Sequence, residues 1–505
     1  MSLDLVSNNL DAGRRWRAAD PVDVAVAAPI TRLSIGRLLR INAYWFGRGA
    51  HWRAILISLL FAGATLVAGK DAVLLQGRVM TAGGIVALLM PIVGGWLSDH
   101  TASRWGRRRP WMVAGTALNV VGLGLLAVAG TPALLFIAFM LVQASNNVAE
   151  GAYAGVIPDL IPSDCRGESS GLLGAMEQLG SVVGLAAVVG VYALLGQTRL
   201  ALILSYALIA IMLVAGLVVS AKAIDETSAQ QAPPRLSPAS PAAILSAVAF
   251  LLSLACIFAL LAAPLGRALI PVALLALATA ATAVAAGRHV PHLSSLLSPF
   301  RDNDFFWVFA TRALVTLGLV ITVGVMPYYF ARVVGFSNPT MASAAFGLTV
   351  VLAAAASALW SGRQSDRAGR RKQFVYVSSG LQAAVTVVLL FGLTRSLPLI
   401  FGLGVLYGLG FGAYTAVDWA LACDVLPDRK GAAGKDMGLW HASMTVPTVV
   451  GPAVLALLVY HLEQPGHWLL GMPTGGHLGF RVGFGTAALA YVLGTVMVAR
   501  IRGAR

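Results

Sequence analysis

Gly95-Trp-Leu-Ser-Asp99-His-Thr-Ala-Ser-Arg104-Trp-Gly106-Arg107-Arg108-Arg109-Pro110 is a short polar stretch between two apolar runs. Gly362-Arg-Gln-Ser-Asp366-Arg367-Ala-Gly369-Arg370-Arg371-Lys372 repeats its pattern in the second half of the chain. Each stretch carries one aspartate, spaced glycines and a cluster of basic residues. The duplication of a basic turn between two apolar segments predicts a membrane protein that is built from two related halves.

The composition is that of a membrane protein. The chain has 505 residues, of which 58% are hydrophobic and 11% are charged, whereas a soluble domain carries about 25% charge. Apolar runs of ~20 residues, the length that crosses a bilayer, recur from about position 54 to position 499. The net charge of +15 also suits nucleic-acid binding. However, most lysines and arginines lie in segments that we expect in the cytosol, which is the positive-inside distribution. The lipid bilayer, and not nucleic acid, is the expected partner.

The apolar runs predict an all-α integral membrane protein of fourteen helices: two pseudo-symmetric six-helix bundles and an extra central hairpin. We predict helices because each backbone polar group in lipid must be satisfied within its own segment. We expect a multi-pass protein of the cytoplasmic (inner) membrane. Its Arg-rich chain ends predict that both termini face the cytosol. The predicted order is an N-terminal tail (1–37), the first bundle (38–221), a Pro-rich linker (222–241), the extra hairpin (242–287), a second linker (288–304), the second bundle (305–499) and a C-terminal tail (500–505).

The two halves repeat beyond the basic turns. Gly151-Ala-Tyr153 precedes Pro158-Asp159, and Gly412-Ala-Tyr414 precedes Asp424-Val-Leu-Pro427. The second basic turn also has every defined position of the loop signature G-x-x-x-D-R-x-G-R-R-K. These features resemble the major facilitator superfamily, whose two halves are related by an axis along the membrane normal.

One branch of that superfamily is more similar than the others. The first turn has the longer form D-x-T-x-S-R-x-G-R-R-R-P, which resembles the glycoside–pentoside–hexuronide cation symporters and the related sucrose–proton symporters. Further stretches that resemble these symporters are Asn42-Ala-Tyr-Trp-Phe-Gly47, Asn146-Asn147 and Val417-Asp418-Trp-Ala-Leu421. The resemblance implies secondary transport by alternating access, in which two bundles rock about a central site and use an ion gradient.

The resemblance also implies that the basic turns form a cytosolic latch. The aspartates are expected to accept hydrogen bonds near a helix end, and the arginines to pair across the cytosolic face when the site opens outward. The alternative interpretation is that the turns only anchor the helix ends through their positive charge. The predicted latch residues are Asp99, Arg104, Gly106, Arg107, Arg108, Arg109, Asp366, Arg367, Gly369, Arg370 and Arg371.

A few charged residues fall inside the predicted spans. They are the acids Glu150, Glu177 and Asp418 and the bases Arg48, Arg53 and Arg312. A charge at the bilayer centre costs at least ~2.5–3.5 kcal/mol, so such residues are usually paired and functional. Counting depth at ~1.5 Å per residue brings the acids and bases to similar levels. In the superfamily that the chain resembles, the first and fourth helices of each half face the central cavity. We therefore predict the pairs Arg48–Glu150 and Arg312–Asp418, with Glu177 near the first.

Such a pair offers a coupling step. A carboxylate beside an arginine stays ionised, and one released from it in an apolar site takes up a proton. The alternative is that the pairs only hold helices together. The sodium-coupled melibiose carriers have acids in the second span, but the corresponding span here, 77–98, has none. We therefore expect protons rather than sodium as the coupling ion.

The start of the first helix decides how many candidates lie in the membrane. Hydropathy alone starts it near Ala54, whereas the resemblance starts it near Leu38 and buries the bases between; we adopt the second start. Those bases make an anionic solute an alternative to a sugar. Aromatic and asparagine side chains also have structural interpretations, at the membrane interface or between helices. The substrate-binding candidates are Asn42, Tyr44, Trp45, His51, Arg53, Asn146, Asn147, Tyr153, Tyr328 and Trp419.

The sequence lacks the motifs of an enzyme. It has no nucleophile elbow, no zinc-binding H-E-x-x-H helix and no phosphate-binding loop, so we predict no catalysis, no cofactor and no metal. We expect a monomeric, proton-coupled transporter of a small organic solute, with a sugar or glycoside as the first candidate. A proton-coupled exporter of drugs or metabolites is the alternative within transport. A non-transporting membrane scaffold or sensor is the alternative outside it.

Overall fold

The computed structural model describes residues 33–226, 298–336, 339–392, 395–428, 431–462, 468–469, 472–473 and 478–503. Within these ranges the chain is helical, apart from a two-stranded antiparallel ladder of β1 (Trp468–Leu469) and β2 (Met472–Pro473). The predicted hairpin 242–287, residues 1–32 of the N-terminal tail and most of both predicted linkers lie outside the described residues.

The first half begins with a helix that is interrupted by one π-helical turn at Ile55–Leu59. Its helices are α1 (Ile35–Ala54), α2 (Leu60–Ala68), α3 (Ala72–Asp99), α4 (Arg109–Val128), α5 (Pro132–Ala154), α6 (Val156–Leu160), α7 (Arg166–Leu195) and α8 (Arg199–Ala223). The helices of the second half are α9 (Asn303–Tyr329), α10 (Pro339–Ala368), α11 (Arg371–Gly392), α12 (Leu397–Asp424), α13 (Ala433–Leu462) and α14 (Leu478–Met497).

Local sequence explains several helix ends. Thr131 caps α5 by accepting a hydrogen bond from the backbone N–H of Leu134 at 3.2 Å, and Thr198 caps α8 in the same way. Short hydroxyl side chains are favoured at these positions because they satisfy an orphan backbone donor. The helix α7 ends before Gly196, whose φ of 65° suits a residue without a Cβ.

In the described part of the chain, ten helices are long and apolar enough to cross a membrane. The helix α1 is not among these ten, because its basic residues interrupt the apolar sequence. It nevertheless begins at Ile35 and buries Arg48 and His51, so the first helix starts where the resemblance places it and not near Ala54. The helical fold class is confirmed, whereas the total of fourteen helices stays a prediction.

Two glycine contacts set equivalent helix crossings in the two halves. Gly151 on α5 lies against the carbonyl of Pro91 on α3, and Gly412 on α12 lies against the carbonyl of Ala354 on α10. A Cβ at either glycine would overlap that carbonyl. Small residues therefore let these helices approach closely, as is common in membrane bundles.

Candidate functional site

The first predicted ion pair is buried between α1, α5 and α7. Arg48 Nε and Nη2 each lie 2.8 Å from Glu150 Oε2, and Arg48 Nη1 lies 2.6 Å from Glu177 Oε1. Arg48 is 6% exposed and Glu150 is 1% exposed. Every guanidinium nitrogen of Arg48 therefore has a carboxylate partner, and the geometry is that of strong charge-assisted hydrogen bonds.

The second predicted pair is looser. Arg312 Nε on α9 lies 3.4 Å from Asp418 Oδ2 on α12, and Arg312 Nη2 lies 3.6 Å from the sulfur of Met444. Its guanidinium stacks 3.4 Å above the ring centroid of Trp440, an arrangement with cation–π attraction. The other carboxylate oxygen of Asp418 accepts a hydrogen bond of 3.2 Å from Tyr414.

The two pairs meet at the interface between the halves. His441 Nε2 on α13 lies 3.3 Å from Glu150 Oε1 on α5. Trp45 of the first half and Trp419 of the second are in edge contact, with ring centroids 5.3 Å apart, and Trp419 contacts Trp440 at 5.0 Å. We call these residues, with Arg48, Glu177, Arg312 and Asp418, the central cluster. Side chains of both halves are in contact in this cluster.

Several substrate-binding candidates instead join helices of the first half. The hydroxyl of Tyr153 donates to Asn42 Oδ1 at 2.9 Å, and Asn42 Nδ2 donates to Ser169 Oγ at 3.1 Å. Tyr44 stacks on Tyr153, with ring centroids 5.6 Å apart. Asn147 donates to the carbonyl of Gln143 on its own helix at 2.7 Å. These contacts fit the role of Asn as interhelical or intrahelical support.

The remaining candidates differ in their surroundings. His51 and Asn146 are buried, and Trp45 belongs to the central cluster. Arg53 is exposed, and no contact in the described ranges joins it to the central cluster. The side chain of Tyr328 lies outside the described residues.

The aspartates of the two basic turns make reciprocal contacts. Asp99 at the end of α3 accepts hydrogen bonds from the backbone N–H groups of Gly434 (3.0 Å) and Lys435 (2.7 Å), in the first turn of α13. Asp366 accepts hydrogen bonds from Gly167 (2.8 Å) and Glu168 (2.6 Å), in the first turn of α7. Each aspartate thus caps a helix of the opposite half, where unpaired N–H groups and the helix dipole favour a negative charge.

The arginines of the first turn differ from the expectation that they pair across the face. Arg108 is fully buried, and Nη1 lies 2.6 Å from Asp99 while Nη2 lies 2.9 Å from Asp159. Arg107 also pairs with Asp159, at 2.8 Å. Arg109 lies 3.9 Å from Glu226, beyond α8. All these acids belong to the first half or directly follow it, so the arginines hold the turn together and the aspartate makes the crossing contact.

The second turn combines both kinds of contact. Arg371 pairs with Asp366 at 3.3 Å and with Asp424 at 2.7 Å, both in its own half, and donates to the carbonyl of Ser163 across the interface at 2.8 Å. Asp424 also accepts Arg166 of the first half at 3.1 Å.

The other predicted latch residues lie at the surface or in the turns. Arg104, Arg367 and Arg370 are exposed. Gly106 (φ 91°) and Gly369 (φ 61°) adopt backbone conformations that favour glycine.

Sequence reasoning did not assign several residues of these contacts, among them Trp440, Arg166 and the three acids and the histidine that follow. Asp159 and Asp424 sit at repeated acid positions near a proline in the two halves, so the repeat was a usable signal. His441 contacts Glu150 only because α13 of one half packs beside α5 of the other. Glu226 accepts the backbone N–H of Arg108 at 2.9 Å, at the start of α4, and no sequence pattern indicates this contact.

Comparison with known proteins now assigns the fold to a family. The sequence matches the Major Facilitator Superfamily over residues 54–347 and again over residues 308–505. The chain belongs to the major facilitator superfamily. It is therefore a member of a transporter family and not an enzyme, and the helices described above are those of a multi-pass membrane protein. The resemblance to the sugar-symporter branch stays a prediction.

Curated relatives add little about the solute. An uncharacterized MFS-type transporter of Mycobacterium tuberculosis, found in two strains, is 30% identical over 198 residues, which is 39% of this chain. The match covers only 26% of that relative. The chain thus spans about a quarter of the length of the curated relatives that it matches.

Solved structures share the fold. A bacterial homologue of the iron transporter ferroportin in an outward-facing state aligns with a TM-score of 0.62 at 15% identity, over 93% of this chain and 99% of that one. The human organic anion transporter aligns at 0.57 and 15%, over 92% and 97%. A proton:xylose symporter bound to 6-bromo-6-deoxy-D-glucose aligns at 0.57 and 14%, over 90% and 94%. At these identities the likeness shows the fold alone.

Proposed function

We propose that the chain is a proton-coupled secondary transporter, which moves a small organic solute by alternating access through the central cluster. The proposal places the basic turns on the cytosolic side of the cytoplasmic membrane, with both termini there and a monomer as the working unit. A sugar or glycoside is the first solute class to test, because Trp45 and Trp419 provide aromatic surfaces at the interface between the halves.

One contact supports the coupling most directly: Glu150 binds groups of both halves. Its Oε2 accepts Arg48 of its own half, and its Oε1 lies 3.3 Å from His441 of the opposite half. A buried carboxylate in membrane-spanning helices stays ionised only while it is paired. Separation of the halves removes His441 from Glu150 Oε1, while Oε2 still faces Arg48. In the proposed step Glu150 takes up a proton as it also leaves Arg48, which keeps Glu177 as its partner. The proton state of Glu150 is thereby tied to the arrangement of the halves.

The contacts at the basic turns support the alternating part of the proposal. We call the end of the bundle that carries these turns the turn face. There the reciprocal aspartate caps and the ion pair between Arg166 and Asp424 join the two halves. The turn face is therefore closed in this conformation. Opening it requires that these hydrogen bonds and ion pairs break, which gives the outward-open and inward-open states different sets of bonds.

The test is uptake into proteoliposomes with an imposed pH gradient, screened against labelled sugars, organic acids and cationic dyes. We expect Glu150→Gln to abolish proton-driven uptake while solute exchange across the membrane continues, because Gln keeps the side-chain shape but does not take up the coupling proton. Asp71→Asn, at an exposed acid before α3, is the matched control and should transport like the parent protein. Proton-driven uptake that persists unchanged in Glu150→Gln would contradict the proposed coupling.

A further inference from the structure

The two arginines of the central cluster are unequally satisfied. Each guanidinium nitrogen of Arg48 lies within 2.8 Å of a carboxylate oxygen. Arg312, in contrast, has one ion pair at 3.4 Å through Nε and a weak contact from Nη2 to the sulfur of Met444. Its Nη1 is enclosed and has no hydrogen-bond acceptor among the described residues. Arg312 is only 7% exposed, so this donor is not open to bulk solvent.

Two indole N–H groups beside Arg312 are also buried donors without an acceptor among the described residues. Trp440 lies directly beneath its guanidinium, and Trp419 contacts the Trp440 ring. Both side chains are at least nine-tenths buried, and neither indole Nε1 has an acceptor within the described ranges. The nearby carboxylate of Asp418 already accepts Tyr414 and pairs with Arg312 Nε. Three enclosed donors around Arg312, its Nη1 and the two indole N–H groups, thus have no acceptor among the described residues.

This donor set has a specific chemistry. An indole N–H donates but does not accept, and a guanidinium only donates. Enclosed donors without acceptors cost free energy, so their retention indicates a partner that supplies acceptor atoms. A carboxylate matches the planar fork of a guanidinium and brings the opposite charge. A neutral sugar hydroxyl, which both donates and accepts, matches a donor-only set less well.

We propose that Arg312, Trp419 and Trp440 form the solute-binding subsite and that the transported solute carries a carboxylate. The rings of Trp419 and Trp440 then place apolar atoms beside the charge, which suits a solute with a ring or short apolar body. This inference rests on the proposed function for the transport step, whereas carboxylate binding is measurable without any flux. It assigns recognition to the second half of the chain and leaves proton coupling to Glu150 in the first.

The first measurement compares matched solutes on the purified full-length protein in lipid nanodiscs. The probes are benzoate against benzyl alcohol and glucuronate against glucose, each titrated in a melting assay. A thiol-reactive dye reports unfolding in a Cys256→Ser background, because Cys165 and Cys423 are buried in the folded protein and Cys256 lies outside the described residues. A ligand that binds only the folded state raises the melting temperature in a saturable way. We expect such a rise with at least one carboxylate and not with its neutral partner.

Conservative variants then locate the site. Trp440→Phe keeps a ring beneath Arg312 but removes the N–H, and should weaken carboxylate binding about tenfold, the effect of one lost hydrogen bond to a charged group. Arg312→Lys keeps the charge without the planar fork and should weaken it by at least as much. Arg481→Lys, at an exposed arginine of α14, makes the same replacement away from the cluster and should bind like the parent protein.

The outcomes separate the two proposals. Equal stabilisation by the neutral partners, no stabilisation by either carboxylate, or carboxylate binding that survives both Trp440→Phe and Arg312→Lys would each overturn this inference. Carboxylate binding that these variants weaken, in a protein that shows no proton-driven flux of any probe, would support the inference and overturn the proposed function. Proton-driven flux of only the neutral probes would support the proposed function and overturn this inference.

Discussion

Replacement of Asp99 by Asn tests whether the turn face is held closed by the reciprocal aspartate caps. Asp99 accepts backbone hydrogen bonds from Gly434 and Lys435 of the opposite half and pairs with Arg108 of its own. Asparagine keeps one acceptor oxygen, but it places an NH2 group against the second backbone N–H and removes the charge. The variant therefore weakens a crossing contact while the fold of each half keeps its other contacts.

The magnitude follows from which contacts differ between the closed and open states. The Arg108 pair lies within the first half and persists when the halves separate, so it does not enter the difference. A hydrogen bond to a charged group contributes about 1.5–3 kcal/mol, and a charge at a partly buried helix N-terminus up to ~2 kcal/mol. Loss of one such bond and of the charge shifts the equilibrium by about 2–4 kcal/mol toward the open turn face. At 1.4 kcal/mol per factor of ten, this is a roughly 30- to 700-fold change in the population ratio.

Pulsed electron paramagnetic resonance measures this shift. Spin labels at Arg104 and Arg370 lie at exposed positions of the two basic turns, one in each half. In lipid nanodiscs the parent protein should give one short distance, and Asp99→Asn should add a longer one. Asp366→Asn should act alike, because its cap on α7 has the same geometry.

The control and the refuting result use the same label pair. Asp71→Asn changes an exposed acid that precedes the same helix, α3, and should leave the distances unchanged. A double variant of Asp99 and Asp366 should shift the population further than either single variant, because the two caps are separate. If both single variants and the double variant keep the parent distance distribution, the caps do not hold the turn face closed.

Two further predictions concern packing. Gly412→Ala should lower the free energy of unfolding by about 1–3 kcal/mol, because the new Cβ meets the carbonyl of Ala354, whereas Gly402→Ala on the same helix meets nothing and should be neutral or stabilising. Equal melting temperatures for the two glycine variants would contradict this account. Tyr153→Phe should lower the free energy of unfolding by about 0.5–1.5 kcal/mol through its lost bond to Asn42, with unchanged solute preference in uptake assays. A changed preference would instead place Tyr153 in the solute site.

Depth along a helix could be predicted from the sequence because the helical rise is nearly constant. The count therefore gives similar depths to Arg48 and Glu150. It places Arg312 and Asp418 about 5 Å apart in depth, and the prediction of that pair relied also on the resemblance, which puts both residues on helices that face the cavity. The repeated basic turn indicated two related halves for a similar reason, since a duplicated pattern needs no knowledge of packing. Even the start of α1 well before Ala54 could be inferred from the resemblance, although the hydropathy pointed to a later start.

Contacts between the halves could not be predicted in this way. Periodicity fixes which residues share a face of one helix, but it does not fix which face of α13 meets α5, so His441 was not assigned to Glu150. The partners of the turn arginines depended on a similar detail. Arg108 lies closer to Asp159 of its own half than to any acid of the other, because the segment after α5 folds back beneath the turn.

Arg48 and Arg312 have different numbers of hydrogen-bond acceptors because the residues around them differ between the two halves. The first half pairs Arg48 on α1 with Glu150 on α5, and the second half pairs Arg312 on α9 with Asp418 on α12, so the repeat gives two similar pairs. The first half also has Glu177, which occupies Arg48 Nη1, and in the proposed coupling Glu150 is the group that changes partners. The second half adds no further acid within the described residues, and its arginine stacks on an aromatic ring instead. A transporter needs one group whose charge depends on the arrangement of the halves and another whose charge is constant for its solute. In the proposals made above, Glu150 is the first of these groups, and Arg312, whose Nη1 has no acceptor among the described residues, is the second.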